Sequence, residues 1–500
     1  MMDPIVKTEA GAVRGVRNPT HLTFRNIPYA APPVGRLRFA AAQPAPPWAG
    51  VLDGTGPGPV APQRFEEIDR RLGAVELPSD EAGALHLTVH TPGLEGKRPV
   101  FVWIHGGSYT SGSSAWRIYD GARFARDGVV FVGFNYRLGA FGFLDLRAHF
   151  PDDGLLTANP ALSDAVLALR WIRDNIAAFG GDPDSVTIAG ESAGAGMVTA
   201  LLTSPQARGL FHRAVPQSGM NFCIQEPEQS AAIAGNLLRR LGVRAGDRAA
   251  LEAVSTETLL QASEDRACLL DGVPGGPHLA WNMHRDPETL PTGGYEPFAA
   301  GSLSQIDLLI GTTADENKLR WLAEEPTGID EGVDIDDPEQ VRRLREVYRK
   351  AGRAEKEWEI SEAIVNDLSY LVPATRAAEE HARHGGRTFM YLFTWRSPVL
   401  DGRLGACHAL ENAFVFDRLQ SPEFHGPRPP QWLADAIHGA WIRFARTGRP
   451  GHPLLPEWPE FDPESRAVME LGATCRVVYD PRGREFRAWR DLPASVFGVA

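Results

Sequence analysis

Short apolar runs separated by glycine or proline recur along the chain, at residues 85–90, 100–105, 129–135, 186–190, 308–311 and 388–394. Each has the length of a buried β-strand. The longest apolar stretches, near 101–104 and 129–134, fall far short of the roughly 18 residues a membrane span needs. Helical patterns fill the gaps. The clearest is 163–179, where Ala165, Leu169, Ile172 and Ile176 recur at three- and four-residue steps until Gly180 and Gly181 stop it. Strands alternating with helices predict an α/β fold, a mostly parallel central sheet with helices on both faces. Residues 28–62 are rich in proline and read as an extended surface segment. Residues 225–360 are less regular and more helical, and are expected as insertions over one end of the sheet of a single domain spanning 1–500.

Composition narrows the classes. With 43% hydrophobic and 23% charged residues the chain is globular rather than disordered. Lys and Arg number 51 against 63 Asp and Glu, a net charge of −12 that argues against nucleic acid as a partner. Residues 1–9 lack the pattern of a signal peptide. Cys223, Cys268, Cys407 and Cys475 form no CxxC pair, so a reduced, cytoplasmic setting is expected. No HExxH, Cys/His cluster or phosphate-binding loop is present. No metal or cofactor is therefore expected, and a monomer is the default state.

The chemistry begins at 185–204, SVTIAGESAGAGMVTALLTS. An apolar strand runs into Gly190-Glu191-Ser192-Ala193-Gly194, and a helical pattern follows. This is the strand–turn–helix context in which a G-x-S-x-G serine serves as a nucleophile. Glycines flank it because the serine needs a sharp, strained turn. Glu191, beside the serine on that turn, is expected to point away from it as a buried structural carboxylate with a basic partner. Upstream, the strand near 99–104 ends in His105-Gly106-Gly107. The N–H groups of Gly106, Gly107 and Ala193 are expected to form a three-donor oxyanion hole. His105 precedes the donors on the same strand end and reads as structural.

A serine hydroxyl needs a base, and the base an orienting acid, in the chain order serine, acid, histidine. Composition does not choose among the 14 histidines. Longer motifs do. Residues 24–39 (FRNIPYAAPPVGRLRF), 135–145 (NYRLGAFGFLD), 168–194 (ALRWIRDNIAAFGGDPDSVTIAGESAG) and Gln217-Ser218-Gly219 resemble the type B carboxylesterase family, which includes the cholinesterases and bacterial esterases acting on p-nitrobenzyl esters. The resemblance covers nearly the whole chain. It implies an α/β-hydrolase fold and ester hydrolysis through an acyl-serine. It places the acid at Glu316, within GTTADE, with Asp315 as the rival, and the base at His408, within GACH. It also implies that Ser218 lies near the Glu–His pair. His438, on a helical stretch, is assigned to packing or surface, and Cys407 to a buried, inert role.

The chain departs from the family pattern at Ala84, which replaces a disulfide cysteine of secreted members, at Asn317 after the acid and at Ala409 after the base, both usually glycine. Other classes remain: a non-catalytic binding module of the same fold, or an amidase or carbamate hydrolase using the same machinery. Tyr109, Trp116, Phe222, Trp281 and Trp321 are the aromatics expected either to line an apolar pocket for short acyl or aryl esters or to pack the core.

Overall fold

The computed structural model describes residues 3–220, 224–274, 279–323, 335, 337–352 and 354–490. The chain divides into two compact units. One comprises 1–65, 75–212 and 223–293, the other 66–74, 213–222 and 294–500.

Among the described residues the first unit holds β1 (Ile5–Lys7), β2 (Ala12–Arg14), β3 (Val16–Arg17), β4 (Leu22–Pro28), β5 (Val51–Asp53), β6 (His86–Thr91), β7 (Arg98–Ile104), β8 (Val130–Phe134) and β9 (Gly181–Glu191). β1, β2 and β5 form a small separate sheet. In the main sheet β7 lies between β8 and β9 and is parallel to both, with Val102 opposite Val132 on one side and Ile188 on the other. β6 joins β8 antiparallel, and β4 joins β6 in the same way. Every residue of β6 and β8 is buried. These strands therefore read as continuous buried runs, without in–out alternation.

β9 starts five residues before the apolar run that announces it. Gly181 pairs with Arg98, and residues 182–185 bulge out before the ladder resumes at Val100 and Val186. The predicted helix divides into an α-helix, Pro160–Asn175, and a tighter turn, Ile176–Phe179, closed by left-handed Gly180. The proline-rich segment is extended but is not all surface. Tyr29 and Phe39 are buried, and the Tyr29 hydroxyl donates to the Asn135 carbonyl at 2.7 Å. Arg137 binds Asp164 through Nε and Nη2, both side chains buried, and Arg38 binds Glu81 the same way.

The second unit holds β10 (Arg213–Gln217), β11 (Asp307–Thr313), β12 (Thr388–Phe393), β13 (Ala467–Leu471) and β14 (Arg476–Tyr479). The first four run parallel in that order and β14 is antiparallel to β13. All six residues of β12 are buried. Leu344, Tyr348, Ile360, Ile364 and Trp489 pack the helices Pro338–Lys350, Glu357–Asn366 and Gly483–Arg490 together. A single wide π-helical turn, Asp367–Leu371, follows the second of these. The helical region 225–360 is shared between the two units, with Gly293 the last residue of the first.

Candidate active site

β9 delivers its chain at Glu191, and the helix Ala193–Thr203 begins two residues later. Between them Ser192 has φ 58° and ψ −125°, a conformation that non-glycine residues adopt only where the surroundings enforce it. The flanking glycines show what enforces it. A Cβ at Gly190 would lie 2.5 Å from the Gly194 carbonyl oxygen, and one at Gly194 would run into the Ile104 carbonyl at the end of β7. Strand, turn and helix thus pack too tightly for side chains there, and Ser192 is left half-exposed at the tip.

The chain leaving β7 passes close to the serine. A Cβ on Gly106 would lie 3.1 Å from Cβ of Ser192 and 2.8 Å from the Glu191 carbonyl oxygen. Gly107 has φ 111°, and its carbonyl accepts from the N–H groups of Thr110 and Ser111, both at 2.9 Å. Among the described residues no backbone carbonyl accepts from the N–H groups of Gly106, Gly107 or Ala193. Ser192 and Gly106 are thus brought together within the first unit.

His105 and Glu191 are part of the support. The His105 ring stacks on Tyr136 with centroids 4.5 Å apart, its Nδ1 donates to the Gly106 carbonyl at 2.9 Å, and the Tyr136 hydroxyl donates to the His105 carbonyl at 2.9 Å. Burial lowers its pKa to about 4, against a smaller opposing effect of the Gly106 hydrogen bond, so the ring stays neutral. Glu191 is 2% exposed, and its Oε2 would lie 3.1 Å from a Cβ on Gly106, beneath the donor loop.

The second unit carries the acid and the base. β11 ends at Thr313, and Glu316 opens a short tight turn, Glu316–Leu322. Its carboxylate is 1% exposed. Oε1 accepts from the Thr313 N–H at 2.7 Å, and Oε2 accepts from Nδ1 of His408 at 2.5 Å. The backbones of the two loops pair as well. His408 N–H donates to the Glu316 carbonyl at 3.3 Å and Asp315 N–H to the Ala406 carbonyl at 2.9 Å.

Asp315 is engaged elsewhere. It accepts from Lys318 at 2.9 Å, Arg396 at 3.3 Å and the Ala406 N–H at 3.0 Å. Burial alone would raise its pKa, but Lys318, the Ala406 N–H and Arg396 outweigh it and hold the carboxyl below its ordinary value. Geometry thus separates two adjacent carboxylates that composition leaves equivalent.

Cys407 is fully buried, and burial, with Glu316, Glu411 and Asp315 nearby, pushes its thiol well up, so it is not a thiolate. Nδ1 of His438 donates to the Val415 carbonyl at 2.7 Å, a packing role. Ser218 directly follows β10 with φ 51°. Its N–H donates to the Gly311 carbonyl of β11 at 2.9 Å, and its buried Oγ has no partner among the described residues. Of the expected pocket aromatics, Tyr109 packs on Phe143 (4.5 Å), Trp116 on Tyr119 (6.2 Å) and Trp321 on Trp358 (6.1 Å), while Trp281 is buried. Phe222 lies outside the described residues.

The sequence reading missed Tyr370. The π-helical turn sets its ring 5.2 Å from the His408 imidazole, tilted by 50°. A wide turn inside a helical stretch often marks a functional position, but nothing in the local pattern announces it.

Comparison with known proteins agrees with this architecture. The para-nitrobenzyl esterase of Bacillus subtilis (strain 168) is 35% identical over 498 residues, covering 97% of this chain and 98% of that protein. The phenmedipham hydrolase of Pseudarthrobacter oxydans is 38% identical over 492 residues, covering 94% and 95%. Among solved structures, a thermophilic PNB esterase superimposes with a TM-score of 0.86 at 34% identity over 97% of this chain and all of that one. A Geobacillus stearothermophilus carboxylesterase gives 0.84 at 36% identity, covering 97% and 99%. The fold is the α/β-hydrolase fold. The Carboxylesterase family model matches residues 2–489, and the chain belongs to that family.

Proposed function

We propose that this protein hydrolyses carboxylic esters, short acyl or aryl esters foremost, through an acyl-serine intermediate. Ser192 is the nucleophile, His408 the general base and then general acid, and Glu316 the carboxylate that orients the imidazole. The N–H groups of Gly106, Gly107 and Ala193 bind the oxyanion. The observation that carries the reading is the left-handed Ser192 on a turn that glycines alone can flank. The short Glu316–His408 bond supports the assignment of acid and base.

The ester carbonyl oxygen enters the donor hole. His408 accepts the Ser192 proton at Nε2 as Oγ attacks the carbonyl carbon. Glu316 keeps Nδ1 protonated, which leaves Nε2 free to act, and stabilises the imidazolium. The tetrahedral intermediate then collapses. The C–O bond to the leaving group breaks, His408 gives that alcohol its proton, and the acyl-enzyme remains. Water activated by the same histidine releases the acid and restores Ser192. Glu191 and Ser218 act as supporting residues around these groups.

Carbamates are a second substrate class, supported by the relationship to the phenmedipham hydrolase. The same attack on a carbamate carbonyl would give a carbamoyl-serine. A reduced, cytoplasmic setting fits the free thiols of Cys268, Cys407 and Cys475, and a monomer is the oligomeric state we propose with it. Among the described residues no helix is long and apolar enough to cross a membrane.

The test is turnover of a p-nitrophenyl ester series by the wild type and Ser192→Ala. Hydrolysis by the wild type, reduced on the order of 10⁶-fold in the variant, supports the reading, and chain-length preference sizes the acyl pocket. A folded wild type without activity on any ester or carbamate would favour a non-catalytic binding module instead.

A further inference from the structure

We infer that Gln63 is a positioning residue for the oxyanion loop, an inference that rests on the acyl-serine reading above. The backbone from Gly106 to Gly112 is strained. Gly107, Ser108 and Tyr109 are consecutively left-handed, with φ of 111°, 53° and 62°, and Gly112 has φ 117°. Ser and Tyr hold such angles only where neighbours over-determine them. Part of the restraint is internal, through the bonds from Thr110 and Ser111 to the Gly107 carbonyl and from His105 to the Gly106 carbonyl. The far end of the loop is held from outside. The half-buried Gln63 accepts from the Gly112 N–H at 2.8 Å and donates to the Gly112 carbonyl at 3.0 Å. Its Nε2 also donates to its own segment at the Ala61 carbonyl, 3.1 Å away.

One carboxamide therefore satisfies both polar groups of a single loop peptide residue. That residue touches the donors. A Cβ on Gly112 would run into Nδ1 of His105 and the Gly106 carbonyl. A shift of Gly112 is thus passed directly to the His105 ring and to the Gly106–Gly107 peptide, whose N–H is one of the donors. Beyond the clamp, the Ser114 N–H is held by Oδ1 of Asn135 at 2.9 Å, so the loop is pinned on both sides of its strained turn. Without Gln63 the left-handed run can relax, and the N–H groups of Gly106 and Gly107 leave the line on which the oxyanion develops. That line matters more in the transition state than for the bound ester, so kcat suffers before KM.

The experiment compares the wild type, Gln63→Leu, which matches the volume without hydrogen bonds, and Gln63→Glu, which keeps the acceptor and loses the donor. Each is assayed with p-nitrophenyl butyrate, with an aryl trifluoromethyl ketone as transition-state mimic, and by complete titration of the reactive serine with a fluorophosphonate. Gln63→Leu should lose roughly 10–100-fold in kcat, short of the 10²–10³ for deleting a donor outright. KM should stay within about twofold, and ketone binding should weaken by the same factor as kcat. The fraction of serine finally labelled should be unchanged, and Gln63→Glu should fall between. A kcat that merely tracks the labelled fraction, or unaltered ketone affinity, overturns the inference. If Gln63→Leu does not fold, Gln63→Glu decides on the same readouts. A wild type inert to ester and fluorophosphonate would sink the acyl-serine reading and this inference with it. An active wild type with indifferent Gln63 variants would sink this inference alone.

Discussion

Replacing Glu316 by glutamine tests the acid assignment at the level of single hydrogen bonds. The carboxylate uses both oxygens as acceptors, Oε1 from the Thr313 N–H and Oε2 from Nδ1–H of His408. A glutamine has one acceptor oxygen and one NH₂ donor. The Thr313 N–H is a fixed donor, so the amide oxygen is drawn to it. The NH₂ then faces His408 and turns Nδ1 into an acceptor. The imidazole proton moves to Nε2, the atom that must be unprotonated to receive a proton from serine. The corresponding wrong-tautomer change in a Ser–His–Asp triad costs roughly 10⁴ in kcat. Glu316→Gln should therefore lower kcat by about 10³–10⁴, or about 4–5.5 kcal/mol of transition-state stabilisation. Asp315→Asn should lose far less, since Asp315 meets Lys318, Arg396 and the Ala406 N–H rather than the base. The assay is kcat/KM for p-nitrophenyl butyrate across pH 6–9, with a melting curve for each variant. A Glu316→Gln enzyme within tenfold of wild type, or a larger loss in Asp315→Asn, would refute the reasoning.

Gly194→Ala forces a methyl into the Ile104 carbonyl; it should destabilise by about 1–3 kcal/mol and lower kcat by more than roughly 10² as the elbow shifts, seen by urea unfolding and ester turnover. Asp164→Ala leaves the buried Arg137 guanidinium without its carboxylate and should cost about 3–5 kcal/mol in the same unfolding assay. His105 should remain neutral at pH 5.5, because burial takes its folded pKa to about 4; a ¹⁵N imidazole titration with a midpoint at or above 6 would contradict this. The sign for stability follows. Between about 6.5 and 4 the unfolded chain binds the proton and the folded chain does not. His105 therefore removes up to about 3 kcal/mol as pH falls through that window and nothing more below it. His86, lowered to about 4 by the same burial, adds to the effect.

The nucleophile half of the site was legible because its constraints are local. A strand, a turn with glycines on both sides and a helix occupy consecutive residues, and backbone crowding at Gly190 and Gly194 leaves a sequence signature. The choice of Glu316 over Asp315 came from the resemblance of GTTADE to the family's segment and had no such local signature. Their separation depends on Arg396 and on the pairing of the Asp315 and Ala406 backbones, contacts made across many intervening residues. Ala409 shows the reverse case. It adopts φ 64°, where glycine would be unstrained, so the backbone after His408 keeps the left-handed turn despite its side chain. Gln63 and Tyr370 were invisible for a common reason. One acts through a carboxamide on a distant backbone and the other through an irregular helical turn, and neither produces a periodic pattern. The burial of Tyr29 and Phe39 within the otherwise largely exposed or half-buried proline-rich segment was not legible, because proline reports backbone conformation, while burial is set by what packs over a residue.

The most direct test of the acyl-serine account is the site of covalent attachment. Enzyme mixed with p-nitrophenyl acetate, quenched in acid within the burst and digested, should carry one acetyl group on the peptide containing Ser192, and Ser192→Ala should carry none. Acetyl on any other residue during a productive burst, or rapid turnover with no acylated peptide at any quench time, would contradict it.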